Sequence, residues 1–267
     1  MPAILPPPTD NFGPARPPPR RGGTGVPFRD VCGRYATTRN DADLSLLFDA
    51  VTVAEGPGPS WNVAPTDPVP VVRVSQSRQA RVVDAARWGL VPPWATDLRA
   101  GARMINARSE TVATSPAFAP SFARRRCLVP ADGWFEWVRD GKLRRAFYMT
   151  PADGSPLAFA GLWSAWGPES VLTCTILTAA AVGGLARVHD RMPLILPRER
   201  WASWLAGGGD PAAQLRPMSA GELAAIDVRP VRPEVGNVRN NGPHLLEPPA
   251  GEPAESPDGP PAAATLF

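Results

Sequence analysis

Proline placement constrains this chain more than any other feature. A proline lacks an amide hydrogen and fixes φ, so it interrupts helix interiors and sheet interiors alike. Nine of the 35 prolines fall within residues 1–27, where no helical or strand period survives. The stretch "EPPAGEPAESPDGPPAAATLF", residues 247–267, has the same character. Neither end holds enough apolar surface to offset the entropy of ordering it, and disorder is expected in both. The expected organisation is an extension over 1–31, one domain over 32–246 and a tail over 247–267.

Within the domain, Pro and Gly cut the sequence into short apolar runs. "VPVVRV" (69–74), "RVVDAARW" (81–88), "LAFAGLW" (157–163) and "VLTCTILT" (171–178) read as strands. "DADLSLLFDA" has Leu44, Leu47 and Phe48 at helical spacing, with Asp41 as its expected N-cap. Ser115-Pro116 is expected to open a short helix through Phe118 and Phe122, and Pro197 to open "RERWASWLA". Many short strands with interspersed helices give an α+β class, a curved or barrel-like mixed sheet with flanking helices.

Composition narrows the function classes. No run of about 18 apolar residues exists and the N-terminal region lacks an apolar signal core, so neither a membrane partner nor secretion is expected. Three cysteines, Cys32, Cys127 and Cys174, cannot all pair, and they match no zinc spacing. With two histidines in the chain, no metal or cofactor is expected, and a reducing cytoplasmic setting fits. Lys142 is the single lysine, and all other basic residues are arginines, which can grip phosphate with two parallel hydrogen bonds. Residues 31–246 hold 24 basic against 19 acidic residues, a mild lean towards an anionic partner.

Four stretches combine reactive or hydrogen-bonding side chains with Gly, Pro or Trp. They are "CGRY" (32–35) with "WNVAPT" (61–66), "RWGLVPPWA" leading into "MINARSET" (104–111), "ADGWFEW" (131–137) and "VHDRMP" (188–193). Strand period puts Trp134 and Glu136 on one face, and Phe135 and Trp137 on the other. A glutamate among aromatic rings is desolvated and its pKa rises towards ~6–7, which suits an acid/base; an exposed edge-strand glutamate is the alternative. His189 can shuttle protons, and a purely structural histidine is the alternative. Asn106 and Arg108 share a face of an extended segment, where an amide and a guanidinium can meet one ligand; a turn Asn beside a solvated Arg is the alternative. Trp94 and Trp137 could stack on bases. Trp61, Trp88, Trp163, Trp201 and Trp204 are assigned to the core, and Cys127 and Cys174 are read as inert buried thiols.

"CGRYA", "WNVAPT", "WGLVPPWA", "INARSET", "ADGWFEW" and "HDRMP" stand in the order found in the SOS-response-associated peptidase (SRAP) family, which this chain resembles from Cys32 to "GNVRNNG" (236–242). The resemblance implies a sensor of abasic sites in single-stranded DNA. Cys32 would be the first residue of the mature chain. Its free amine forms an imine with the ring-opened sugar, and its thiol closes a thiazolidine. The resemblance assigns Asn106 to positioning the amine and sugar, Glu136 to acid/base work, and His189 to the sugar oxygen and crosslink reversal. It implies phosphate contacts for Arg34, Arg108 and Arg191, and a base-contacting wall at Pro65, Trp94 and Trp137. Pro116 departs from the pattern, since some members carry a further phosphate-binding arginine there. Implied partners are single-stranded DNA containing abasic sites and replication-associated proteins, with a monomer acting at damaged DNA in the nucleoid. The alternatives are a thiol peptidase using Cys32 and His189, and a non-covalent single-strand-binding module. Val31 stands where the family has its initiator Met. Either a start assigned too far upstream, with translation truly beginning at a GTG codon for residue 31, or self-cleavage between Val31 and Cys32, is therefore expected to expose the cysteine.

Overall fold

The computed structural model describes residues 32–140, 143–207 and 209–250. The 1–31 extension, Lys142 and residues 251–267 of the expected tail lie outside the described residues. The elements, in chain order, begin with β1 (Tyr35–Thr37), α1 (Asp41–Phe48), β2 (Val51–Thr52), β3 (Ser60–Val63), β4 (Pro68–Ser75) and β5 (Ala80–Trp88). They continue with β6 (Asn106–Arg108), α2 (Ala119–Arg124), β7 (Arg126–Ala131), β8 (Gly133–Asp140), β9 (Leu143–Pro151) and β10 (Leu157–Trp166). The last are β11 (Val171–Ala180), β12 (Arg191–Pro193), α3 (Arg198–Ala206), α4 (Pro211–Leu215) and β13 (Ile226–Val231).

These elements form the expected α+β architecture around a barrel. Strands β11, β10, β7, β4 and β5 pair in that order, each antiparallel to the next. A parallel pairing of β5 with β11 closes the ring at Arg87↔Thr173 and Trp88↔Cys174. Short strands β12 and β6 add to β11, the first antiparallel and the second parallel. A second sheet runs β13-β9-β8-β1-β3.

The barrel strands are buried on both faces, which is why "VLTCTILT" reads as a continuous apolar run and not as an alternation. One set of side chains, including Val69, Val71, Trp88, Cys127, Val129, Phe159 and Ile176, clusters with Tyr35, Trp134 and Met149 of the second sheet. The other set, including Val72, Val83, Leu128, Ala160 and Leu177, clusters with Leu44 and Phe48 of α1 and Trp201, Trp204 and Leu205 of α3. Each fully buried large side chain contributes about 1.5–3 kcal/mol. Three of the buried indoles keep their N–H groups bonded: Trp88 to the Ile105 carbonyl, Trp201 to Leu196 and Trp204 to Cys127. Trp61 and Trp163, expected in the core, are half-buried, with Arg73 and Arg125 over the Trp163 ring. Cys127 and Cys174 are buried free thiols.

Two helix starts differ from expectation. Helix α1 is capped by Asn40, whose Oδ1 accepts the Asp43 amide at 2.9 Å, and Asp41 is its first helical residue. Helix α2 begins at Ala119, after a turn at 115–118, because Pro120 has no amide to donate and is tolerated only in a first turn. Pro116 therefore sits in the turn and not in the helix. Among the described residues no helix is long and apolar enough to cross a membrane.

Candidate active site

The site grows from strand alternation in β8. This strand lies between β1 and β9, so Glu136 is not on an edge. Trp134 faces the cluster of Val69, Val71 and Phe159, and Phe135 a separate one with Ala36, Ala146, Tyr148 and Val231, on which Trp137 packs, as the period-2 reading requires. Gly133 opens the strand where a Cβ would come within 2.3 Å of the Met149 carbonyl, so no larger residue fits that approach. Glu136, 2% exposed, is left on the Trp134 face with an almost fully desolvated carboxylate.

The segment leading into β1 runs antiparallel to β8, and it places Cys32 on that carboxylate. The Cys32 backbone N–H donates to Glu136 Oε1 at 2.8 Å. Cys32 is itself buried and adopts φ +46°. Burial raises the Glu136 pKa to about 7, against the opposing pull of the hydrogen bonds from Cys32. Burial, reinforced by the neighbouring Glu136 charge, also raises the Cys32 thiol well above its ordinary value. Arg191 lowers and Asp190 raises that thiol, so the start of β12 and the residue before it bring charges to the same place.

His189 lies two residues before β12. Its Nδ1 lies 2.9 Å from Asp190 Oδ1 and 3.0 Å from the Arg191 amide nitrogen. The Arg191 N–H donates to Nδ1, so in the neutral ring the hydrogen sits on Nε2. Asn106 and Arg108 lie on β6, opposite Ile176 and Thr178 of β11. Arg108 is exposed. Arg191 is on β12, on the other side of β11, and its guanidinium reaches the Thr178 carbonyl and the carboxylate of Glu110. Sequence reasoning passed over Glu110 and Thr178, although Glu110 lies inside the "INARSET" stretch.

Arg34 takes a different position. It is buried, and its Nη1 donates to Asn62 Oδ1 at 2.7 Å and to the Val235 carbonyl at 2.9 Å. Asn62 Nδ2 in turn donates to the Asn237 and Asn240 carbonyls, so "CGRY", "WNVAPT" and "GNVRNNG" are tied together by one polar network. Trp137 is half-buried, with the Arg34 guanidinium 5.7 Å and the Arg144 guanidinium 4.7 Å from its ring centre. Pro65 lies on the loop between β3 and β4 and Trp94 on the loop after β5, both at the Trp88 end of β5. The first is held by the Thr66 amide on the Trp88 carbonyl, and Trp94 projects 64% exposed. Gly89 permits this junction: at φ +131° it passes so close to Gly101 that a Cβ would fall 2.5 Å from its carbonyl oxygen. A hollow of about 600 Å³ elsewhere is lined by Arg39, Asp132, Tyr148 and Arg229, and none of the predicted site residues line it. Among the described residues no three His, Cys, Asp or Glu side chains group to hold a metal.

The arrangement offers a nitrogen, a thiol and an acid/base at neutral pKa, with a histidine and arginines alongside. Comparison with known proteins gives it a context. The profile of the family "SOS response associated peptidase (SRAP)" matches residues 31–238. The chain is 35% identical over 227 residues to the abasic site processing protein YoqW of Bacillus subtilis, covering 81% of this chain and 99% of that protein. It is 34% identical over 228 residues to the abasic site processing protein YedK of Escherichia coli, covering 82% and 100%. A crystal structure of a protein from Bacteroides thetaiotaomicron shares the fold, with a TM-score of 0.69 at 20% identity, covering 81% of this chain and 99% of that one.

Proposed function

The chain belongs to the SOS response associated peptidase family, and from that premise we propose that it processes abasic sites in single-stranded DNA by covalent capture through Cys32. The observation that carries this reading is Glu136 Oε1 at 2.8 Å from the Cys32 nitrogen, with a pKa of about 7. A carboxyl poised there takes a proton from one group and returns it to another near neutral pH.

The chemistry needs Cys32 at the start of the chain, so that its nitrogen is an amine. Glu136 and His189 move a proton onto the sugar ring oxygen as the C1–O bond opens to the aldehyde. The amine then attacks C1, and loss of one water leaves an imine. The thiol adds to the imine carbon and its proton passes to the nitrogen, closing the five-membered ring; the net change is release of one water. Burial pushes the Cys32 thiol up, which favours a protonated sulfur while the amine attacks. Asn106 orients amine and sugar. Arg108 and Arg191 hold phosphates, Pro65, Trp94 and Trp137 contact bases, and Arg34 holds Trp137 from beneath.

The test is incubation of protein beginning at Cys32 with a labelled abasic oligonucleotide, followed by a denaturing gel. A shifted covalent band that Cys32→Ala abolishes is expected. Absence of the band in the wild type, or its persistence in Cys32→Ala, rules the reading out. A second reading, cleavage of the 31–32 peptide bond within the same chain, is favoured by the same contact, because Glu136 adjoins the nitrogen that would leave. The intact mass of native protein tests it: a chain that retains Met1 refutes self-cleavage.

A further inference from the structure

Glu110 stands between two arginines assigned above to phosphate. Arg191 Nη1 donates to Glu110 Oε1 at 2.7 Å and Nη2 to Oε2 at 3.0 Å, a two-pronged fork. The same Nη2 reaches the Thr178 carbonyl at 2.6 Å and its hydroxyl at 3.1 Å, which fixes the guanidinium against β11. Arg108 pairs with Thr178 across β6 and β11, so it borders the same carboxylate. The Arg191 hydrogen bonds lead, and the Arg191 and Arg108 charges add, in holding Glu110 below the usual carboxylate range. The Glu110 side chain is 51% exposed and that of Arg191 14%, so the acid can swing into solvent while the arginine stays in place.

A carboxylate and a phosphate offer a guanidinium the same pair of oxygens. We propose that Glu110 is a built-in stand-in for a DNA phosphate. It occupies the Arg191 fork in the unbound protein and is exchanged for two phosphate oxygens when a single strand arrives. This rests on the DNA reading above and adds a residue to it. Exchanging one fork for another leaves the hydrogen-bond count unchanged, so Arg191 gives a passing strand little net attraction. Glu110 thereby weakens binding to every strand alike and leaves discrimination to the chemistry at the lesion.

The experiment measures Kd of the full 267-residue chain for an undamaged, labelled oligothymidine from about 50 to 200 mM salt, a range over which phosphate contacts show their slope. Reversible binding of an intact strand does not require the Cys32 amine. Glu110→Gln should bind roughly three- to tenfold tighter at the low end, because its Arg191 meets the phosphate with no carboxylate to displace, and both proteins should lose affinity as salt rises. Arg191→Gln in the Glu110→Gln background should remove the gain. Glu169→Gln is the control. It makes the same charge change in the turn at the other end of β11, about 30 Å away along the strand and beyond the screening length, and should leave Kd within about twofold. Affinity of Glu110→Gln equal to or below wild type overturns the proposal, as does an equal gain in Glu169→Gln. Wild-type protein that does not bind at all fails the DNA reading itself. Binding without the Glu110 effect fails this inference alone.

Discussion

Replacing Glu136 by glutamine should stabilise the folded protein while removing its chemistry. Glutamine keeps an oxygen to accept the Cys32 N–H and carries no charge. The carboxyl titrates at about 7 in the fold against 4.5 unperturbed, because burial disfavours the ion. Well below 4.5 it is protonated in both folded and unfolded chains and has no effect on stability. Between 4.5 and 7 the folded chain binds more protons than the unfolded one, so stability falls as pH rises, and above 7 the cost is complete. Linkage over that window makes the difference between pH 5 and pH 8 about 2 kcal/mol. For a domain of this size that is a melting-temperature shift of roughly 4–8 °C. The assay is thermal and urea denaturation of the full-length wild type and Glu136→Gln at both pH values. The variant should gain about 2 kcal/mol on the wild type between pH 5 and pH 8. The same comparison on protein starting at Cys32 should show a smaller gain, because an α-ammonium beside the carboxylate stabilises its charge. A stability difference independent of pH, or a variant that loses ground at pH 8, would refute the claim that Glu136 is held ionisable at a cost.

Arg34→Ala should destabilise the fold by about 2–4 kcal/mol in urea titration, since it takes a charged donor from two buried acceptors at once. A loss below about 0.5 kcal/mol would mean the network through Asn62 is dispensable. Trp94→Ala should leave the melting curve almost unchanged, as befits a side chain 64% exposed, yet weaken single-strand binding by about 1–3 kcal/mol in an anisotropy titration. An unchanged Kd would remove Trp94 from the base-contacting surface.

What could be read from sequence was what local periodicity encodes. Glu136 was legible because alternation in "GWFEW" is a property of five consecutive residues, and the strands and α3 were legible for the same reason. The start of α2 was misplaced because Pro116 and Pro120 are both plausible first-turn prolines, and only the later one leaves no amide missing inside the helix. Contacts across the chain were not legible. Arg34 reaches an acceptor 201 residues away, and Arg191 pairs with an acid 81 residues earlier. Neither partner carries a mark in its own neighbourhood that distinguishes it from a solvated residue. The barrel seam is similar, since two parallel pairs between β5 and β11 leave no pattern in either strand.

The backbone angle of Cys32 has a consequence for which chain the fold prefers. At φ +46° an L-residue brings its Cβ against the carbonyl of the residue before it, a crowding worth roughly 1–2 kcal/mol. A first residue has no such carbonyl. The penalty therefore falls on a chain in which something precedes Cys32 and vanishes from one that starts there. Through steric geometry alone, the fold favours an amine over an amide by about a factor of ten at the atom where Glu136 waits.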